Sequence, residues 1–277
     1  MTLAEPDRSG VAGDPETIER WCERLVTTRA VAEKLNPPPA PAVFEPGAAG
    51  RPPLVPGRPS AWRVVERAER PPRSLAEPAA RARLLHTLAH HELQAAELFA
   101  FGVLAYPEAP REFRSGLLRL CEEELRHLRL LTERIEALGS SFGEHPVRDW
   151  FWQRVPTCQS PESFVALMGL GLEGANLEHS ARLGAALRQA GDEASARILD
   201  QIEREEVAHV AFARRWFEHY TGVPLEYERW KAALPPPLTP SILKGEPIAR
   251  KARQRAGQSS EFIDALEAEP RVGGPKP

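Results

Sequence analysis

The chain has 277 residues, 27% charged and 42% hydrophobic, with a formal net charge of −3 at neutral pH. That balance is expected of a soluble globular protein and leaves no global basic surface for nucleic acid or anionic lipid. Three cysteines (Cys22, Cys121, Cys158) are odd in number and lack metal-type spacing, so reduced thiols are expected rather than a disulfide framework.

Residues 1–14 carry no signal-peptide core, and no apolar run reaches membrane-spanning length, so a cytoplasmic location without a membrane partner is expected. Asp14-Pro15-Glu16-Thr17 reads as a helix start, and the helix should run to about Leu35. Residues 36–59 carry nine prolines and read as an extended strap. Two readings are open: a disordered linker, or an arm packed along the main domain, which Trp62, Val64 and Val65 favour because they need cover. From Glu77 a helical period takes over. A first bundle helix is expected to Ala105, a second over about 110–138, a third from Ser160-Pro161-Glu162 to Ala190, and a fourth over about 193–220. The connection at 140–160 is long and contains the aromatic run Trp150-Phe151-Trp152. Beyond Gly222, two weak helices are expected near 240–256 and 258–268. Lys244, Arg250, Lys251, Arg253 and Arg255 form a small basic patch there, read as a solvated face or as a contact for RNA or an acidic partner.

The order short loop, long loop, short loop gives an all-α fold: a ferritin-like four-helix bundle with a long crossover between its second and third helices. The expected division is 1–76 for the N-terminal helix and Pro-rich arm, 77–222 for the bundle and 223–277 for a C-terminal extension. Glu124-x-x-His127 lies on the core stripe of the second helix, among Leu117, Leu120, Cys121, Leu128 and Leu131. Glu206-x-x-His209 repeats it on the fourth. Residues three apart share a helix face, and a carboxylate beside an imidazole on an apolar face needs a partner. Glu92 and Glu173 sit on the apolar stripes of the first and third helices, 32 and 33 residues before Glu124 and Glu206. One Glu-x-x-His arises often by chance in charged helices; two, each preceded by a matched Glu, do not. A Glu from each of two helices plus Glu-x-x-His from the other two is the dinuclear carboxylate arrangement. Oxygen and imidazole donors suit iron or manganese. The expected metal ligands are therefore Glu92, Glu124, His127, Glu173, Glu206 and His209, with Glu124 and Glu206 bridging two Fe ions, or a Mn/Fe or Mn/Mn pair.

Other polar residues sort around this set. Glu97 and Glu178 each lie five positions after a ligand and point elsewhere. Glu122, Glu123, Glu203 and Glu205 face outward or flank, pairing with Arg126, Arg204 or other arginines. His90 reads as a partner of a ligand carboxylate or as a satisfied or solvated histidine.

The runs Leu84–Leu98, Glu122–Leu131 and Glu205–Ala211, with the Trp21-Cys22 helix, its proline strap and the segment Ala249–Gly257, resemble the ferritin-like family called DUF455. That family is similar at a distance to MiaE-type tRNA hydroxylases and to bacterioferritin. The resemblance covers nearly the whole chain and implies a ferritin-like dimetal bundle without naming a substrate. Ferroxidases of the ferritin type often carry a tyrosine where this chain has Phe99, and radical-bearing ribonucleotide reductase subunits carry one where it has Leu131. Both departures lower iron storage and radical generation. The expected function is that of a di-iron oxidoreductase, an O2-dependent oxidase or hydroxylase of an unidentified small-molecule or macromolecular substrate. Phe99, Met168 and Leu131 would line its pocket, and Trp150 to Trp152 would cover it. The alternatives are a ferroxidase, metal-handling or oxidative-stress protein without organic substrate, and a tRNA-modifying hydroxylase, which the net acidity disfavours. A homodimer is compatible with the sequence, and nucleic acid is not an expected partner.

Overall fold

The computed structural model describes residues 16–45, 55–67, 69 and 71–270. It is an all-α bundle. Among the described residues the one β-type pairing is an isolated parallel bridge between Val64 and Val147. Helix α1 spans Ile18–Thr27 and α2 spans Val31–Leu35. The single helix expected over this stretch is broken because Thr28 leaves the helix with ψ 144° and its hydroxyl accepts the Ala30 N–H. The N-cap is Thr17, whose hydroxyl accepts the Arg20 N–H, whereas the expected cap Asp14 lies outside the described residues. Trp21, Cys22, Leu25 and Val26 are buried, and α1 packs on the first long helix. Each such side chain contributes about 1.5–3 kcal/mol.

Four long helical segments follow. Helix α3 spans Pro78–Ala105 and α4 Arg111–Ala137. After the long connection, a continuous helix begins at α5, Pro161–Val165, passes through a π-helical stretch, Ala166–Glu173, and continues as α6, Gly174–Gln189. Helix α7 spans Glu193–Thr221 and stops at Gly222, whose φ of 71° suits a residue without Cβ. Helices α3 and α4 pack as one antiparallel hairpin and α6 and α7 as the other. The π-helical stretch departs from the regular helix expected there. It lies against α7: a Cβ built on Gly169 would stand 2.2 Å from the Ala213 Cβ, one turn beyond His209. Wide turns of this kind re-phase a helix and recur at functional sites.

The flanking segments are fastened to the bundle by buried charge. Lys34 on α2 donates to Glu97 on α3 at 2.6 Å and to the carbonyls of Leu25 and Val26. Arg58 makes a two-pronged pair with the same Glu97, at 2.7 and 2.8 Å, and also binds Asp149 of the crossover. Trp152 Nε1 donates to Glu97 at 2.8 Å. At the other end, helices α8 (Tyr227–Ala233), α9 (Arg250–Arg255) and α10 (Ser260–Ala268) form the C-terminal extension. Here Arg253 forks onto Glu178 of α6 with both bonds at 2.7 Å. Glu97 and Glu178 thus occupy equivalent positions, five residues after Glu92 and Glu173, each buried and each neutralised from outside the bundle. Of the residues after the strap expected to need cover, Trp62 is buried and Val64 is 47% exposed, and residues 46–54 of the strap lie outside the described residues.

Helix α8 is not anticipated by the sequence, and the helix expected over 240–256 shrinks to α9 because Pro240, Gly245 and Pro247 interrupt it. The basic patch is divided: Lys244 and Arg253 are buried and paired, whereas Lys251 and Arg255 are exposed. Lys244 donates to the carbonyls of Leu266, Glu267 and Glu269, Arg250 pairs with Asp264 and Glu267, and Arg255 with Glu203. No helix among the described residues is long and apolar enough to cross a membrane.

Candidate metal centre

Helices α4 and α7 cross in the middle of the bundle with their Glu-x-x-His faces toward each other. Glu124, His127, Glu206 and His209 are all fully buried. Glu92 from α3 and Glu173 from the end of the π-helical stretch close the site and are each 4% exposed. Glu92, Glu124, His127 and Glu206 offer ligand atoms that all lie within 4.8 Å of one another, and so do Glu124, Glu173, Glu206 and His209. Either group could hold a metal ion, and the two groups share Glu124 and Glu206. The structure therefore brings all six sequence-derived residues together.

The Nδ1 atoms of both histidines face the carboxylates. His127 Nδ1 is 3.3 Å from Glu124, 3.4 Å from Glu92 and 3.9 Å from Glu206. His209 Nδ1 is 2.8 Å from Glu124 and 3.0 Å from Glu206. The Nε2 atoms point the other way, onto two further carboxylates. His127 Nε2 meets Glu205 of α7 at 2.7 Å, and His209 Nε2 meets Glu123 of α4 at 2.7 Å. Each helix thus orients the other helix's imidazole, which fixes the tautomer that leaves Nδ1 free to ligate. Arg126 holds Glu205 at 2.6 Å. The expectation that Glu205 flanks the site and pairs with an arginine such as Arg126 holds, but the contact of Glu123 and Glu205 with the histidines is not part of that expectation. The signal was present as a doublet, since both motifs read Glu-Glu-x-x-His. Asn176, one turn after Glu173, donates to Glu206 at 2.9 Å and was also missed.

The residues fit a cation on two grounds. Glu124 Oε1, Glu206 Oε2 and His209 Nδ1 are buried, and although they approach to 2.8 and 3.0 Å as charge partners, none makes a hydrogen bond of good geometry among the described residues. Atoms that converge without bonding one another are arranged around a point, and buried polar atoms left unpaired are costly. The second ground is charge: four carboxylates in one buried site require neutralisation. Without a cation the site neutralises itself by protons. Burial and the neighbouring Glu124 carboxylate hold the Glu92 carboxyl well above its ordinary range, and burial with Glu206 does the same to Glu173. At His127 burial opposes the charge, but Glu124 and Glu92 outweigh it and raise the imidazole to about 11. Burial opposes the charge on His209 as well, and Glu206, Glu123 and Glu124 overcome it.

A cavity of about 340 Å³ opens between α3 and α6, over the two ligand candidates that retain some exposure, Glu92 and Glu173. Leu88, Leu172, Leu183, Trp150 and Phe151 supply apolar wall, and Asn176, His179 and Arg182 supply polar wall. The expected pocket is corrected here. Phe99, Met168 and Leu131 are buried in the core rather than lining this cavity, and Phe99 instead packs edge-on against His209 with ring centroids 6.2 Å apart. Trp150 and Phe151 cover the cavity as expected, while Trp152 turns inward to Glu97. His90 of α3 meets Asp149 of the crossover through Nε2 at 3.1 Å, while its buried Nδ1 has no hydrogen-bond partner among the described residues, and it makes no contact with the candidate ligand carboxylates. Burial pushes the His91 imidazole down to about 3 and also lowers His179.

Two comparisons bear on this arrangement, and no solved structure matches the chain. An uncharacterized protein of Haemophilus influenzae is 30% identical over 155 residues, a match covering 53% of this chain and 54% of that protein. The chain therefore spans about half the length of the curated relative it matches. A family model, described as "Protein of unknown function (DUF455)", matches residues 16–264, a span that holds all six buried ligand candidates, and the chain belongs to that family.

Proposed function

We propose that the protein is a dinuclear metal-carboxylate oxidoreductase that holds two Fe ions, or a Mn/Fe or Mn/Mn pair, and oxidises or hydroxylates an organic substrate with O2. The observation that carries this reading is the pair of four-residue groups sharing Glu124 and Glu206. Glu124 and Glu206, common to both groups, would be shared by the two ions, with Glu92 and His127 holding one and Glu173 and His209 the other. Two ferrous ions at such a site supply the electrons for reducing O2.

The chain's own residues define the rest. Glu205 and Glu123 hold the imidazoles through Nε2 and so would leave Nδ1 as the ligating atom toward the metals. Asn176 fixes one oxygen of Glu206. Glu92 and Glu173 form the floor of the cavity, so a molecule there sits beside the residues that complete each ion. The walls of Trp150, Phe151 and Leu172 limit water over that floor. Leu131 and Phe99 present no phenol to the site. The cavity favours an organic substrate over iron storage, and the internal pairing of the C-terminal arginines gives no support to a tRNA partner.

The test is metal content per chain after expression with iron supplied, combined with O2 uptake by the reduced protein. Two ions per chain are expected in the wild type and fewer than one in Glu124→Ala, with helical content unchanged by circular dichroism. A wild-type protein that folds, binds no iron or manganese and consumes no O2 would overturn the reading.

A further inference from the structure

The cavity between α3 and α6 has an electrostatic polarity of its own. Its floor is carboxylate, Glu92 and Glu173, which bound cations would neutralise. Its mouth is set by His179 and Arg182, one turn apart on α6. Arg182 is exposed and has no ion-pair or hydrogen-bond partner among the described residues. The other cations bordering the site are engaged: Arg58 by Glu97 and Asp149, Arg126 by Glu205, Arg253 by Glu178. His91 on the facing wall has its ring 5.0 Å from Phe151, and no hydrogen bond among the described residues holds either His91 or His179. Between mouth and floor the walls are apolar, built from Leu84, Leu88, Leu172, Leu183 and Phe151. Arg182 follows Glu173 by nine residues, so the two ends lie about 13 Å apart along the helix.

We infer that this cavity binds a small amphipathic anion, with a carboxylate or phosphate held by Arg182 and an apolar body reaching down to the floor formed by Glu92 and Glu173. A planar guanidinium pairs with either anion through two parallel hydrogen bonds. The imidazoles of His91 and His179 supply further N–H donors at the rim. A cavity of this size, apolar with a few convergent polar groups, is the usual form of a small-molecule site. The orientation of the ligand, apolar end toward the buried carboxylates, rests on the proposed metal centre; the anion-binding property does not.

The probes are octanoate and octyl phosphate, with octanol and octylammonium as controls, titrated calorimetrically into full-length protein stripped of metal. Stripping ensures that no bound cation can hold the anion. At least one of the two anions binds tenfold or more tightly than octanol, and octylammonium binds more weakly than octanol. The tighter anion distinguishes a carboxylate site from a phosphate site. Arg182→Gln, a change at an exposed position, abolishes the tenfold advantage and leaves octanol binding unchanged. Leu88→Trp fills the cavity and abolishes binding of all four. Equal binding of octanol and both anions, or an anion affinity unaltered by Arg182→Gln, overturns the inference. Metal content of the same preparation before stripping keeps the two ideas apart. Two ions per chain without anion preference leaves the metal centre and removes this inference. Anion preference in a protein that never held metal does the reverse.

Discussion

Crossed orientation of the two imidazoles makes a prediction that separates the two proposed ions. Glu205→Ala removes the 2.7 Å acceptor of His127 Nε2 and leaves His209 with its own acceptor, Glu123, at 2.7 Å. Loss of such an outer carboxylate weakens metal binding by roughly 10- to 100-fold. That corresponds to about 1.4–2.7 kcal/mol, at one ion and not the other. The Glu205 side chain is 31% exposed, so water enters where it stood and the loss falls toward the lower end of that range. Arg126, its other partner, is 38% exposed and becomes solvated at little cost. Competition of Mn(II) against a graded chelator, with bound ions counted per chain, should show one tight and one weakened site. Glu123→Ala should weaken the other. A double-mutant cycle assigns the ion: Glu205→Ala adds little to His127→Gln, because the carboxylate acts through that ring, whereas its effect adds fully to His209→Gln. Equal weakening of both ions by Glu205→Ala, or full additivity with His127→Gln, would refute the crossed arrangement.

Three further outcomes follow from the packing and the charges. Glu97→Gln leaves Lys34 and Arg58 buried beside a neutral amide and should cost about 3–5 kcal/mol in urea unfolding, since a broken buried pair strands its partner. Gly169→Val forces a side chain into the Ala213 Cβ, pushing the π-helical stretch off α7; about 1–3 kcal/mol of stability should be lost, together with metal affinity, measured by thermal melting and metal counting. The third outcome concerns pH. In protein stripped of metal, Glu92 and Glu173 have folded-state values well above 4.5, and His127 rises from 6.5 to about 11. A raised acid costs stability once the unfolded chain has ionised. A raised histidine gives stability that is complete below 6.5 and drains away as pH climbs toward 11. Both signs agree, so stripped protein should lose stability from pH 6.5 to 9 in chemical unfolding, and Mn(II) should flatten the slope. A stability that rises across this window would contradict the assignment.

The six converging residues were legible in the sequence because each lies on the apolar stripe of its own helix, and a period of 3.6 identifies that stripe from one helix alone. What the sequence left unread depends on a second element. A residue five positions along a helix is turned about 140° from the first. Periodicity therefore places Glu97 and Glu178 off the site face, and it is silent about what covers them. Of their cations, Lys34 lies in the short helix α2, Arg58 among the prolines of the strap, and Arg253 in a short helix after another proline run, so no single pattern marks them. Glu123 and Glu205 pose the opposite problem. Each is 42% or 31% exposed, as a solvated acid would be, and its task appears only where α4 crosses α7. The doublet Glu-Glu-x-x-His carried that information as a repeat, because one solvated acid needs no explanation, but the same acid before both ligands has a shared cause. The π-helical stretch had no such signal. Ala166–Leu172 is uniformly apolar or glycine, so every phase of the helix reads as core, and only the contact of Gly169 with Ala213 selects the wide turn. Glu173 is marked by the apolar stripe of its own helix, and the wide turn that carries it, packed on α7 at Gly169, adds a feature the stripe does not show.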